Sequence, residues 1–340
     1  MNILVIGYFG YLNNQLDGQT IRTRSIYDLL DKNIDNNIKL NFFDTQQFKV
    51  NKLYFFKLIY LLLKSDLVFD IAAHNNIKYL FILIFFICKI KRTKLNIVAV
   101  GGWLSNFIKD KPLHQQLLSR VNNLFVQTEN LSRSLKNNYN FSNVVVLNNF
   151  RNVEYPVISS SVNHLLKLVF FARVQPMKGV DLIFKLSEKI RQENISNVEI
   201  DIYGPISDFY QKDFDKSLSE SNVKYCGVLQ PNKIHAVLAD YDFMLFPTKY
   251  FTEGFPGSIL DSYISGVPVI ATNWLNAKEF IDNDETGYIV EFDNDEKFIE
   301  KTIYLLKYPE LIRKLKENVI KKRYLYSPEE AWKTLSLSLK

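Results

Sequence analysis

The sequence predicts an α/β protein made of two doubly wound units with a cleft between them, and three observations carry that expectation. Short apolar runs alternate with amphipathic segments along the chain, the pattern of parallel sheets covered by helices on both faces. The pattern halts at the polar linker "SSSVN", Ser159 to Asn163, and then restarts. A length of 340 residues also exceeds one ordinary core and suggests two domains.

The first half opens with the strand "NILVIG", the loop "YFGYLNNQLDGQT" and the helical "IRTRSIYDLLDK". "IKLNFFD", "LVFDIAA", "LNIVAVGG", "NLFVQT" and "NVVVLNNF" read as further strands. "YLFILIFFICKI", Tyr79 to Ile90, is the most apolar stretch. It is interrupted by Lys89 and falls short of the roughly 17 to 25 residues that span a bilayer, so it reads as a buried helix. A membrane-facing patch is the other reading, supported by Lys91, Arg92 and Lys94 and by the apolar "LYFFKLIYLLL" at Leu53 to Leu63. In the second half "LKLVFFARV", "VEIDIYG", "VKYCGVL", "DFMLFPT" and "VPVIAT" are the expected strands, with helices such as "GVDLIFKLSEKIRQE" between them. "YSPEEAW" offers Ser327 as N-cap, Pro328 at the first helical position and two glutamates in the first turn, which starts a separate terminal helix. The expected units are 1–155 and 156–322, followed by a terminal helical segment in 323–340.

Hydrophobic residues make up 47% of the chain, a globular value, and 42 basic against 36 acidic residues give a formal charge of +6. The basic residues are scattered and no nucleic-acid module signature is present, so the mild excess suits an anionic small ligand or membrane surface rather than nucleic acid. Two cysteines without CxxC spacing and four histidines argue against a metal site or disulfide framework. "MNILVIGYFG" lacks a basic n-region and cleavage site and reads as a strand and loop, which leads us to expect a cytoplasmic protein.

Ligands of doubly wound sheets bind beyond the carboxyl ends of the strands, so the loops there are the candidate sites. "ARVQPMKGVDLI" sets Arg173 and Lys178 between a strand and a helix, where a bidentate fork and a point charge suit a diphosphate. Both could equally be solvated loop charges. "IYGP" ends a strand on Gly204, for close approach of a ligand or merely for a turn. "YCGVLQPNKIHAVLADYDFMLFPT" presents Val228 and Leu229 at one strand end and Thr248 at another, an edge against which a flat base could lie. "TEGFPGSILDSYISGVPVIAT" places Glu253 before a turn, lets backbone N–H groups at Gly254, Phe255, Gly257 and Ser258, on either side of Pro256, face inward at a helix start, and puts Asp261 in its first turn. Ser258 with Asp261 also has the spacing of a helix capping box.

Taken in order, "FFARVQPMKGVDLI", "IYGP", "KYCGVLQPNKIHAVLADYDFMLFPT", the Glu253 stretch and "KEFIDNDETGYIV" resemble the nucleotide-binding half of family-4 retaining glycosyltransferases of the GT-B fold, over roughly Leu168 to Leu306. The first half is similar more loosely, through "GYFGYLNNQLDGQT", "AVGGWLSNF" and "VVVLNNFR". The resemblance implies two Rossmann-like domains, with the last helix crossing back to pack on the N-terminal, acceptor-side one. It implies transfer of a sugar with retention from a nucleotide diphosphate donor, most often UDP-linked, to a glycan or lipid-linked acceptor, without metal or other cofactor. Arg173 and Lys178 would hold the diphosphate, Glu253 would contact the transferred sugar, and Asp261 would hold the ribose. Where the family usually has a second glutamate this chain has the shorter Asp261. Gly18, Gly101, Gly102 and Trp103 would approach the donor phosphates or line the acceptor side, or serve ordinary loop and core duty. The histidine that many members carry in this region is missing from "AVGGWLSNF". The apolar and basic patches of the first half permit peripheral membrane contact. The alternative is a degenerate transferase that binds nucleotide or a partner subunit and performs no chemistry.

Overall fold

A computed structural model describes residues 1–13, 17–158 and 165–339. The linker Ser159 to Asn163, and Asn14 to Leu16 of the first loop, lie outside the described residues. The chain forms two compact units. Unit 1 comprises Met1–Asn152 with Tyr326–Lys340, and unit 2 is Val153–Leu325.

Unit 1 contains β1 (Asn2–Gly7), α1 (Gly18–Asn33), β2 (Lys39–Asp44), α2 (Tyr54–Lys64), β3 (Leu67–Ala72), α3 (Phe81–Lys91), β4 (Lys94–Ala99), α4 (Leu104–Ile108), α5 (Pro112–Leu118), β5 (Asn123–Val126), α6 (Glu129–Tyr139) and β6 (Val144–Val146). The strands form one parallel sheet in the order β2-β1-β3-β4-β5-β6. Successive side chains of a strand point to opposite faces, so β1 feeds two cores. Leu4 and Ile6 pack with Leu58, Leu62, Phe81 and Ile84 from α2 and α3. Ile3 and Val5 pack with Ile26, Leu29 and Leu30 of α1.

Unit 2 contains β7 (Leu166–Phe171), α7 (Val180–Gln192), β8 (Val198–Tyr203), α8 (Gln211–Ser219), β9 (Lys224–Tyr225), α9 (Ile234–Leu238), β10 (Phe243–Phe246), α10 (Gly257–Ile264), β11 (Val269–Thr272), α11 (Ala277–Phe280), β12 (Gly287–Val290), α12 (Asp295–Lys307) and α13 (Pro309–Lys322). Its parallel sheet runs β12-β11-β10-β7-β8-β9. The order reverses between β7 and β10, the paired central strands. Strand β9 is only two residues long, although the Cys226 N–H still donates to the Ile202 carbonyl and the Gly227 carbonyl accepts from the Gly204 N–H, both at 2.9 Å. Strand β12 was not among the strands expected from the sequence.

The final helix, α14 (Pro328–Ser336), starts as its sequence dictates. Ser327 is the N-cap, and its hydroxyl accepts from the Glu330 N–H at 3.3 Å. Ala331 and Leu335 join the unit 1 core beside Ile3, Val5 and Phe9, so the terminal helix does return to the first unit.

The segment from Tyr79 to Ile90 is only half the buried helix that was expected. A π-helical turn, Asn76–Leu80, leads into α3, which buries Phe81, Ile84, Phe85 and Cys88 and leaves Tyr79, Phe86 and Ile90 exposed. Apolar residues all round a helix hide which stripe faces the sheet.

Candidate functional site

In unit 2 the loops following β7 and β10 emerge on either side of the strand-order reversal, where open α/β sheets hold their ligands. The two loops are joined. The Lys249 N–H donates to the Met177 carbonyl at 3.0 Å. Gly179, the N-cap of α7, adopts φ +77°, and a Cβ there would fall 1.8 Å from the Pro247 carbonyl oxygen. Only glycine allows the turn carrying Lys178 to lie this close to the end of β10.

That closeness brings two expected residues together. Lys178 Nζ donates to Glu253 Oε1 in an ion pair with side chains only 22% and 12% exposed. The Lys178 ammonium also stands 6.0 Å from the centroid of the Phe246 ring. Arg173, two residues beyond β7, is exposed.

The loop carrying Glu253 is pinned from below. Asn276 Nδ2 donates to the Glu253 carbonyl at 2.5 Å, and buried Phe255 stacks on Phe280 at a centroid separation of 3.9 Å. Gly254, Gly257 and Ser258 are half-buried, while Pro256 is buried. Pro256 is the N-cap of α10, with φ −62° and ψ 131° and no capping side chain. The N–H groups of the first turn therefore lack the side-chain partner that a serine or aspartate cap supplies, which leaves them suited to an anion.

Two expectations about α10 need correction. Because the helix starts at Gly257, Ser258 is already inside it and cannot be its N-cap, so the Ser258–Asp261 capping box does not form. Asp261 is the fifth helical residue, beyond the first turn. It is 5% exposed, and its Oδ1 lies 3.2 Å from His235 Nε2 of α9. His235 was not singled out in the sequence. Nothing local links it to Asp261, since the pairing depends on α9 packing against α10.

The other expected donor contacts differ in what they present. Gly204 has φ +141°, and the space a Cβ would need lies 1.8 Å from the Ala172 carbonyl oxygen, so this glycine serves backbone packing beside Arg173. Val228 is exposed and Leu229 half-buried in the loop after β9. Thr248 is wholly buried, and its hydroxyl accepts from the Tyr250 N–H at 3.2 Å. Its side chain holds the loop together.

In unit 1, Gly18 is exposed at the start of α1, where Asp17 Oδ1 accepts from the Thr20 N–H at 2.9 Å. Gly101 and Gly102 follow β4, and the Gly101 N–H donates to Gln127 Oε1 at 3.1 Å. Trp103 is half-buried, with Nε1 donating to the Val100 carbonyl at 2.6 Å and its ring 5.6 Å from that of Phe107. "AVGGWLSNF" itself holds no histidine, but one stands beside it in space. His74, just past β3, sets its ring 5.1 Å from Trp103. The sequence signal was its position directly after the strand "LVFDIAA". Among the described residues no group of three or more His, Cys, Asp or Glu side chains is placed to hold a metal ion.

Comparison with known proteins agrees with this architecture. Residues 157–322 match the family glycosyl transferases group 1. A 41.2 kDa protein of the cps region of Klebsiella pneumoniae is 26% identical over 136 residues, 40% of this chain and 35% of that protein. Chitobiosyldiphosphodolichol beta-mannosyltransferase of Candida glabrata is 31% identical over 120 residues, 35% of this chain and 26% of the enzyme. Each match thus spans about a third or less of the relative. The crystal structure of Anabaena HepE in complex with UDP superposes with a TM-score of 0.75 at 12% identity, over 100% of this chain and 99% of that one. At that identity the likeness shows the fold, which is GT-B. The family match falls within unit 2.

Proposed function

We propose that this protein is a retaining, metal-independent glycosyltransferase of the hexosyltransferase type (EC 2.4). It would move a sugar from a nucleotide diphosphate donor, a UDP-sugar, to a hydroxyl of a glycan or lipid-linked acceptor in surface polysaccharide or glycolipid synthesis at the cytoplasmic face. The observation that carries this reading is the placement of Arg173, Lys178 and Glu253 on two joined loops at the strand-order reversal of the unit that holds the group 1 match. The cps-region relative and the UDP complex of the structural neighbour support the pathway class and the base.

In this mechanism the donor diphosphate lies between Arg173 and Lys178 at the first turn of α10. Three sources of positive potential there stabilise the charge that grows on the leaving phosphate. The phosphate competes with Glu253 for the Lys178 ammonium, and the freed Glu253 carboxylate accepts hydroxyls of the transferred sugar. The backbone from Gly254 to Ser258 lines the phosphates, Val228 and Leu229 face the base, and Asp261, oriented by His235, accepts a ribose hydroxyl. The anomeric carbon breaks its bond to the phosphate oxygen and forms one to the acceptor oxygen on the same face. The acceptor proton passes to the departing phosphate. Gly18 is assigned to the donor side, and Gly101, Gly102 and Trp103 to the acceptor side, with His74 beside Trp103.

Incubation with UDP-sugars and lipid or glycan acceptors, in the presence of a chelator, tests this reading through the anomeric coupling in the product NMR spectrum. Transfer with retention supports it. Nucleotide binding without transfer by any donor would favour the degenerate partner, and inversion would refute the assigned chemistry.

A further inference from the structure

The outer faces of α2 and α3 break the rule that a helix covering a sheet turns polar residues to water. Helix α2 buries Leu58 and Leu62 against the sheet. Its opposite face, from the preceding turn onward, reads Leu53, Phe56, Lys57, Tyr60, Leu63 and Lys64, at the spacing of one helical stripe. Phe56 is 67% exposed and Leu53 65%. Beside it, α3 and the turn before it expose Tyr79, Phe86 and Ile90, with Ile90 at 83%. The two helices pack against each other, so these residues form one apolar surface where a solvated monomer would carry scattered ones.

The surrounding charge is one-sided. From Lys49 to Lys94 the chain carries nine lysines and arginines, against Asp66 and Asp70 as its only acids. Asp70 is buried in β3, and Asp66 already lies 3.8 Å from Lys91. Lys57 and Lys64 belong to the apolar stripe itself, with the Lys64 ammonium 4.3 Å from the Tyr60 ring centroid. Aromatic and aliphatic tips interleaved with lysines are the composition of a helix lying in the headgroup layer of an anionic bilayer. A soluble partner of matching charge would supply acids but not the apolar depth that Phe56, Phe86 and Ile90 require. No helix among the described residues is long and apolar enough to cross a membrane, and α2 with its 11 residues can only lie along one.

We infer that the paired outer faces of α2 and α3 dock the protein on an anionic lipid surface. The apolar tips enter the headgroup boundary and the lysines contact the lipid phosphates. This deepens the lipid-linked acceptor reading, and it is tested without reference to transfer.

The test is co-sedimentation of the full chain with phosphatidylcholine vesicles, with and without phosphatidylglycerol, at low and high salt. Binding is expected to anionic vesicles, weakened by salt. It should fall at least tenfold in the double variant Phe56→Asp/Ile90→Asp and severalfold in Lys57→Gln/Lys64→Gln. Both variants should keep the parent circular dichroism and nucleotide titration, which separates loss of docking from misfolding and from failure of the donor-site reading. Absence of binding to anionic vesicles by the parent would overturn the inference, as would equal binding by the variants. Light scattering that shows a dimer dissolved by Phe56→Asp, with no vesicle binding, would assign the surface to a second copy and overturn it too.

Discussion

Asp70 lies in β3, inside the unit 1 sheet between β1 and β4, and is wholly buried. One carboxylate oxygen accepts from Asn76 Nδ2 at 2.7 Å, while the other oxygen and Asn76 Oδ1 have no partner. Burial pushes its pKa from 3.8 up to about 7, against the smaller opposing effect of the Asn76 hydrogen bond. Between those two values the folded chain holds a proton that the unfolded chain has released. Stability therefore falls as pH rises through that window, and the loss is complete above about 7. At ~1.4 kcal/mol per tenfold, the full interval corresponds to about 4 kcal/mol. Asp70→Asn keeps the shape and the acceptor for Asn76 but carries no charge. In urea unfolding followed by circular dichroism, the variant should match the parent only in buffer near the unfolded value of 3.8 or below. In mildly alkaline buffer it should exceed the parent by several kcal/mol. Titrations common to both proteins cancel in the difference. A parent and variant with the same gap at both pH values would refute the reasoning.

Other expected outcomes rest on the same kind of contact. Lys316 donates to the Tyr241 carbonyl at 3.1 Å and to Asp242 Oδ1 at 3.2 Å in a pair with side chains 4% and 2% exposed. Lys316→Met should cost roughly 3–5 kcal/mol by stranding a buried carboxylate, much of it recovered by adding Asp242→Asn, as read in denaturant melts. Gly179→Ala forces both a left-handed backbone and a clash with the Pro247 carbonyl, so it should lower the melting temperature and displace Lys178, reducing nucleotide affinity in calorimetry. Glu253→Gln removes the charge that pairs with Lys178. It should reduce turnover on the order of 100-fold with nucleotide affinity retained or improved, whereas Lys178→Ala should reduce both.

Most of the fold was legible because burial on both faces of a parallel strand leaves a continuous apolar run, as in "NILVIG" and "LVFDIAA". The strand ends were legible for the same reason, and with them the loops that carry Arg173, Lys178 and Glu253. What stayed hidden depends on neighbours distant in the chain. The spacing of Ser258 and Asp261 fits a capping box, yet the extended backbone at Pro256 starts the helix earlier, and Asp261 meets a histidine 26 residues away. In "YLFILIFFICKI" every position is apolar enough for a core, so only the packing of α2 and α3 on the sheet decides which side remains outside. Gly204 reads in the sequence as close approach of a ligand or as a turn, and the neighbour that occupies the place of its missing Cβ, the Ala172 carbonyl, is not visible there.

The central claim is that the loops after β7 and β10 hold a nucleotide diphosphate. Calorimetric titration with UDP, GDP and ADP of the native chain and of Arg173→Ala tests it most directly. Saturable binding of UDP, weakened about tenfold or more by the substitution, is the predicted result. Absence of binding by any of the three nucleotides, or binding indifferent to Arg173, would contradict it.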